Sequence, residues 1–504
     1  MKKDIRYIFA LLIGITFFGC SEDFLEKEPN GAPSNAVFWK TESDAIAAVN
    51  AIYANFGHLR QYGRGFYWYV NASDDMVTGR IKSDPDNIKN FYCTGNEGYT
   101  NNVWQLKYQV IKRCNDVLRN VPAMEIDNSL KNRILGEAHF VASVMYLELA
   151  YHYGDHRAGI PILDREDPSN YYIEREPNVA SNYLFIADEL KKAAELLPYF
   201  ETYAAHDYGR AHKTAALGYL ARTYIYLAQY DAQYWSEAEK VCDQIIASGK
   251  HALEEKYEDA FKIANNTGPE YMWSVVSSER EGSMFAVVAW ENKGWGKING
   301  WGYFQPTKEL FDEYEEGDER RDWTIFKDGD VFQYFGEPFT WYQSSNNVTG
   351  YMFGKYREPF ANANPIGNTI GSWPISTDLW LPLLRYAEIY LFKAEALAMQ
   401  GKNCDDPINI IRARAGLPAK SNCTMEDVKH ERRCELAGEW TDRHYDLVRW
   451  GDADENYAKP LHGSQGQEVW PARPHFDPSI HHVWPIPPHE IENSKGTLTQ
   501  NEGW

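Results

Sequence analysis

Two stretches of this 504-residue chain mix flat aromatic rings with polar side chains in a way that suits non-covalent capture of a polar, ring-shaped ligand. The first holds Asp74/Asp75, Arg80, Asn96 and Tyr99. The second holds Trp290, Asn292, Trp295, Trp301, Tyr334, Trp341 and Tyr342. A sugar presents an apolar C–H face and a rim of hydroxyls. Trp and Tyr rings match the face, while Asn, Asp and Arg match the rim. Any single aromatic is more often a core residue, so the expectation rests on the group, of which at least two are expected to stack on ligand.

Covalent chemistry has little support. No H-E-x-x-H, G-x-x-x-x-G-K-[ST] or G-x-S-x-G pattern occurs. Gly294-Trp295-Gly296 is followed by Gly300 in an aromatic loop, which argues against a dinucleotide site. His475 and His481-His482 sit in a Pro-rich segment without ligand spacing and are expected at the surface. Glu313, Glu315, Glu316, Asp318 and Glu319 beside Arg320 and Arg321 read as a solvated, partly self-paired face. Paired carboxylates meet in space rather than in sequence, so a glycoside hydrolase stays the enzymatic alternative. No cofactor is expected; a structural calcium held by scattered oxygens would leave little local pattern.

Composition narrows the classes further. The formal charge is −21, from 51 basic and 72 acidic residues, with no basic run to compensate. Such a field repels nucleic acid but not a neutral ligand. Aromatic residues reach 15%, more than a core of this size needs. Beyond Cys20, the cysteines Cys93, Cys114, Cys242, Cys404, Cys423 and Cys434 form no C-x-x-C pair and are expected as mostly free, buried thiols. Only a Cys404–Cys423 bridge is a candidate disulfide.

The N-terminus reads as an export signal. Lys2, Lys3 and Arg6 precede an uncharged, mostly apolar run from Tyr7 to Phe18, about 18 Å as a helix against roughly 30 Å of bilayer core. Phe17-Phe18-Gly19-Cys20 resembles a lipobox, in which Cys20 is acylated and residues 1–19 are removed. That loss takes away three basic residues and one acidic one, leaving −23.

The elements that must position the aromatic stretches are mainly helical. Residues 20–40 read as a tether. Apolar residues at spacings of three and four predict helices from Thr41, from about Asn101, over Leu130–Tyr153, and over 179–197, 210–229 and 235–248. Further helices are predicted over Leu383–Gln400 and from Thr424 towards Trp450. In the first of these, Arg385, Glu388 and Glu395 are expected outside the buried stripe; in the second, Glu439 and Arg443 form an i,i+4 pair. Successive helices suggest stacked pairs of tetratricopeptide type, in part 41–260 of a single domain 41–504. Residues 261–380 form an irregular aromatic-rich insertion, with a hairpin turning at Asp328-Gly329 between Thr324 and Phe335. Residues 381–504 return to helices and end in an extended, Pro-stiffened tail.

Four stretches then carry a family resemblance. Glu431-Arg432-Arg433-Cys434-Glu435-Leu436, Glu439, and Asp446-Leu447-Val448-Arg449-Trp450-Gly451 resemble the C-terminal signature of the SusD/RagB outer-membrane lipoproteins. Leu384-Arg385-Tyr386-Ala387-Glu388 with Ala394-Glu395-Ala396 resembles another of its helices. Gly136-Glu137-Ala138, Tyr146 and Tyr153-Gly154-Asp155 resemble a third motif, and Pro485-Ile486-Pro487, Glu490-Ile491 and Leu498-Thr499-Gln500-Asn501 the terminus. Cys20-Ser21-Glu22-Asp23-Phe24-Leu25 is similar to the family's mature start.

The resemblance implies a mainly α, SusD-like fold and a surface-exposed, outer-membrane lipoprotein anchored through Cys20. It implies a non-catalytic role: binding oligosaccharide or polysaccharide and passing it to a TonB-dependent, SusC-like transporter. A peptide-binding or scaffolding repeat lipoprotein is the other alternative.

Overall fold

The computed structural model describes residues 38–504 apart from 64, 80–82, 171, 278–301, 344–346 and 359–377. Cys20, Arg80, Trp290, Asn292, Trp295 and Trp301 therefore lie outside the described residues.

The fold is mainly α, and its helices begin and end where local chemistry dictates. Helix α1 (Glu42–Tyr53) opens on a capping box, in which the Asp44 N–H donates to Thr41 and the Thr41 N–H to Asp44. Helices α2 (Gly98–Asn120) and α3 (Asn128–Tyr153) follow, the latter capped by Asp127 and ended at Gly154. Helix α4 (Val179–Leu196) is capped by Asn178, and α5 (Lys213–Leu227) by His212. Helix α6 (Gln233–Ala247) precedes Gly249, whose φ of +62° suits a residue without Cβ. Each of α2 to α6 packs on its chain neighbour. The connections within α2–α3 (121–127) and α5–α6 (228–232) are short, as in stacked helix pairs, whereas 154–178 and 197–212 are longer crossings.

Strands interrupt the stack and tie distant segments together. Strand β1 (Met76–Thr78) pairs with β3 (Phe304–Pro306), and β2 (Tyr271–Val275) with β8 (Leu381–Arg385), both antiparallel. Strand β4 (Ile325–Lys327) pairs with β7 (Tyr351–Phe353), and β5 (Val331–Tyr334) with β6 (Glu337–Thr340). The hairpin expected at Asp328-Gly329 is thus displaced. The tight turn between paired strands is Phe335-Gly336, both at positive φ (+52° and +80°), while the strand before Asp328-Gly329 pairs further on, with β7.

After β8, helix α7 (Tyr386–Met399) rejoins the stack by packing on α6 and α5. It starts later than predicted because Leu383–Arg385 extend β8 against β2. Helices α8 (Asp405–Arg414) and α9 (Met425–Leu436) pack on α7. The long helix predicted towards Trp450 is two helices. Gly438 at φ +76° breaks it, and α10 (Arg443–Trp450) restarts under an Asp442 cap. A last pair, β9 (Leu461–His462) and β10 (Glu468–Trp470), leads to the tail.

The charges on these last helices face inward, contrary to expectation. Arg385, Glu388 and Glu395 are each 1% exposed. Glu388 accepts from Arg222 and Arg432, and Glu395 pairs with Arg449. Glu439 bonds Lys355 and Arg385 rather than Arg443, which instead reaches Asp74. The acidic run is also less solvated than predicted. Asp318 and Arg320 are fully buried partners, Glu315 bonds Arg412, and Glu313 bonds His430 and Arg433. All six described cysteines are free, and the Cys404 thiol donates to the Cys423 carbonyl. Among the described residues, no helix is long and apolar enough to cross a membrane.

Candidate ligand-binding face

The β1–β3 pair brings the two predicted stretches together. Thr78 stands opposite Phe304, and the next residue, Gly79, donates its N–H to the Tyr303 carbonyl at 3.0 Å. Arg80 follows Gly79 in the chain, and Trp301 precedes Gly302. The buried Gln305 extends this junction: its Nε2 donates to Gly302 O (3.0 Å), and its Oε1 accepts from Val348 N (2.8 Å). The Ser464 N–H donates to Thr349 O at 2.6 Å, and Gln467 Nε2 to Val348 O at 3.2 Å. Asn347 shapes its own turn, accepting from Gly350 N and donating to Tyr351 O, both at 2.6 Å. Four segments far apart in sequence thus converge on one face.

The loop entering β1 is held from beneath. Lys89, fully buried, donates to the carbonyls of Asn71 (2.7 Å), Ser73 (3.1 Å) and Met76 (2.9 Å). Arg473, also buried, donates to Ala72 O and Lys89 O. Burial, then the Arg473 charge, pulls the Lys89 ammonium well below its ordinary pKa.

Asp74 and Asp75 belong to this support, not to the ligand surface as predicted. Each is 3% exposed. Arg433 bridges them, with Nε 2.8 Å from Asp75 Oδ1 and a terminal nitrogen 3.0 Å from Asp74 Oδ2, while Arg443 Nε is 3.0 Å from Asp74 Oδ1. Burial opposes both charges, but Arg433 and Arg443 hold Asp74 well below the usual carboxylate range. Burial, and the adjacent Asp74 charge, leave Asp75 raised despite Arg433. Rings behave in the same way. Tyr334 packs among Phe332, Phe335 and Phe339, and Trp341 is fully buried, so neither can stack on ligand. Burial of an alternate ring leaves its neighbour outside: Tyr342 is 66% exposed. Asn96 is exposed and donates to Thr94 Oγ1; Tyr99 lies in the first turn of α2, with its side chain outside the described residues.

Sequence reasoning missed a second set of rings, on the segment after Lys89 and on β10. Phe91 takes φ +59°, rare for a residue with a Cβ, which buries its ring against Tyr457, Phe476 and Trp484. Its neighbour Tyr92 is turned outward, 62% exposed, and lies flat on His475 at 4.1 Å and 5°. Half-buried Trp470 donates from Nε1 to Asn90 Oδ1 at 3.0 Å and has Lys89 Nζ 5.4 Å from its ring. Trp470 closes β10, the strand that follows Gln467 of the convergent face. The signal available in the sequence was Asn90-Phe91-Tyr92, a polar residue followed by two rings. His475 and His481 are partly buried and engaged, rather than free surface histidines: His475 lies under Tyr92, and His481 Nδ1 accepts from Asp477 N.

Chemically, such a face can stack rings and exchange hydrogen bonds. Among the described residues, no group of three metal-ligating side chains lies on it. Asp74 and Asp75, buried beneath it, are locked in ion pairs.

The chain matches the family model described as the SusD family over residues 248–504, and one described as "starch-binding associating with outer membrane" over residues 23–225. A SusD-like protein of Bacteroides ovatus is 24% identical over 472 residues, covering 86% of this chain and 80% of that protein. Among solved structures, a SusD-like carbohydrate-binding protein of Bacteroides fragilis superposes with a TM-score of 0.77 at 23% identity, over 92% of this chain and 99% of that one. Surface glycan-binding protein A of Bacteroides fluxus gives 0.75 at 24% identity, over 92% and 100%. These likenesses bear on the fold.

Proposed function

The chain belongs to the SusD/RagB family, and on that premise we propose that it is a non-catalytic, cell-surface lipoprotein that binds oligosaccharide or polysaccharide. It hands its ligand to a SusC-like, TonB-dependent transporter in the outer membrane. Residues 1–19 are the removed signal, Cys20 the lipidated residue, 20–40 the tether, and 41–504 a single domain.

The observation that carries the reading is the pairing of exposed flat rings with fixed polar neighbours. Exposed Tyr92 lies on His475, half-buried Trp470 at the end of β10 donates to Asn90, and exposed Tyr342 precedes Gln343, whose Nε2 donates to the Asn347 carbonyl at 2.7 Å. A pyranose laid on such a ring desolvates its C–H face while amide groups meet its hydroxyls. The likeness to a carbohydrate-binding protein of B. fragilis and a surface glycan-binding protein of B. fluxus supports the same ligand class. Asp74 and Asp75, the carboxylates predicted for the ligand surface, are tied to arginines and do not form a free carboxylate pair of the kind that hydrolysis uses.

The test is a glycan array probed with purified mature protein, paired with product analysis after incubation with each polysaccharide bound. Saturable binding to a glycan that stays intact supports the proposal. Released products would favour the glycosidase, and a co-purifying peptide without glycan binding would favour the peptide-binding alternative.

A further inference from the structure

The C-terminal end of α3 and the tail of the chain meet at a second cluster that the ligand face does not use. Asp155 and His156 follow the helix stop at Gly154, and His482 arrives from the far end of the chain. One ligand atom from each of the three lies within 4.8 Å of the other two. The rings of His156 and His482 are nearly parallel, at 27°, with centroids 6.4 Å apart. His482 Nε2 is 3.0 Å from Asp155 Oδ2. Its other nitrogen, Nδ1, is buried and has no hydrogen-bond partner among the described residues. Nε2 is the nitrogen that faces Asp155, so it is the one placed to ligate, with Nδ1 keeping the ring proton.

We propose that Asp155, His156 and His482 form a site for a transition-metal dication of the Zn²⁺ class, pinning the tail to the end of α3. Two imidazoles and one carboxylate are the donor set such ions prefer over Ca²⁺ or Mg²⁺. Metal–nitrogen bonds of about 2.1 Å bring two ligating atoms to roughly 3.5 Å, so the cluster must close by about 1 Å. His156 can supply that movement, because it is exposed.

Asp155 is already oriented for the role. Its Oδ1 accepts from the N–H groups of Arg157 (2.6 Å) and Ala158 (3.1 Å), contacts of the kind that aim a ligating carboxylate. The Arg157 guanidinium also sits on Oδ2, at 2.6 Å and 2.8 Å, and competes for its charge. Arg157 has other acceptors, Glu502 Oε2 and Ser479 O, each at 3.0 Å, so metal binding does not strand it. The tail is already fastened close by, where Trp484 N donates to His152 O at 2.8 Å. A metal joining His482 to Asp155 and His156 would therefore stabilise that same junction by mass action.

The experiment titrates metal-stripped mature protein with ZnCl₂ against a chromophoric chelator, and follows Tm with Zn²⁺ and, separately, Ca²⁺. Expected are one equivalent of Zn²⁺, a higher Tm with Zn²⁺ but not with Ca²⁺, and at least about tenfold weaker Zn²⁺ binding in His156→Ala and in His482→Gln. His156→Ala removes an exposed ring, so its fold, checked by circular dichroism, is expected to match wild type. No stoichiometric Zn²⁺ binding, equal binding by His156→Ala, or an equal Tm response to Ca²⁺ would each overturn the site. None of these results depends on whether a glycan binds.

Discussion

Arg385 Nε donates to Glu439 Oε2 at 2.7 Å, and a terminal nitrogen of the same guanidinium to Oε1 at 2.5 Å, in the interior where β8 turns into α7. The residues are 1% and 3% exposed. Arg385 also bonds Glu435 and Glu270, while Lys355 donates to Glu439 and Arg414 to Glu270. Taking one partner from a buried pair leaves the other charged and desolvated. Arg385→Met should therefore cost about 3–5 kcal/mol in urea unfolding. Arg385→Lys, with a point charge where a fork is needed, should fall between the two. A loss under about 1 kcal/mol in Arg385→Met would mean that the network relaxes without it.

Gly438 gives a second test of the same junction. Its φ of +76° belongs to residues without a Cβ, and a Cβ there would come within 3.0 Å of the Phe353 ring. Gly438→Ala should lower stability by roughly 1–3 kcal/mol, shifting the urea midpoint without changing the slope. An unchanged midpoint would show that α9 can run straight on.

The ligand face separates exposed rings from buried ones. Tyr92→Ala, Trp470→Ala and Tyr342→Ala should each weaken retention on the glycan identified by array by about tenfold, near 1.4 kcal/mol. Tyr92→Ala and Tyr342→Ala should leave Tm within a degree or two of wild type. Trp341→Ala should instead destabilise by about 3–5 kcal/mol, through a cavity in the core. If the Tyr92, Trp470 and Tyr342 variants all bind as wild type does, the ligand sits elsewhere.

Stability should depend on pH through His430. Its Nδ1 is 2.7 Å from Glu313 Oε1 and its Nε2 3.3 Å from Glu315 Oε1, with Glu431 alongside and Lys420 opposing. Burial pulls the His430 pKa down, but the Glu313 bond and the Glu431 charge win and raise it. Burial opposes the Glu313 charge, yet His430 and Arg433 bring its pKa to about 2. The Glu313 contribution is present above its ordinary 4.5 and lost as pH falls through about 2. The His430 contribution is complete below its ordinary 6.5 and lost as pH rises through the raised value. The Tm gap between wild type and His430→Gln should thus be widest between pH 4.5 and 6.5 and shrink on either side. A gap that is flat with pH would contradict the charged pair.

Cys20→Ala should move the protein from the membrane fraction to the soluble fraction, since in the proposed arrangement the acyl chains on Cys20 hold it to the membrane. Retention of that variant in washed membranes would rule out the anchor.

The helical scaffold could be read directly from residues that act on their neighbours. The Thr41–Asp44 box, the Gly154 stop and the three- and four-residue spacing of Ile134, Ala138, Val141 and Met145 are local, so no distant contact was needed to find them. Sequence spacing misled where a distant partner decided the outcome. Leu383–Arg385 continue a helical apolar pattern, yet they form a strand because β2, more than a hundred residues earlier, supplies the ladder. Glu388 and Glu395 lie on polar positions of α7 but face inward, because Arg222, Arg432 and Arg449 come from other helices to neutralise them.

By itself, the sequence determined the start of α1, the span of α3 and its apolar stripe, which depend on residues within a turn or two of each other, and the family signature, which is carried by four stretches along the chain. Only the tertiary structure decided that Asp75, Tyr334 and Trp341 are buried while Tyr92 and Tyr342 are exposed and Trp470 is half-buried, and that His156 meets His482. Composition places a charge or a ring in the chain. Burial and pairing are set by whatever arrives from elsewhere in the fold, because a buried charge persists only beside its counter-charge and a ring stays exposed only where nothing packs over it.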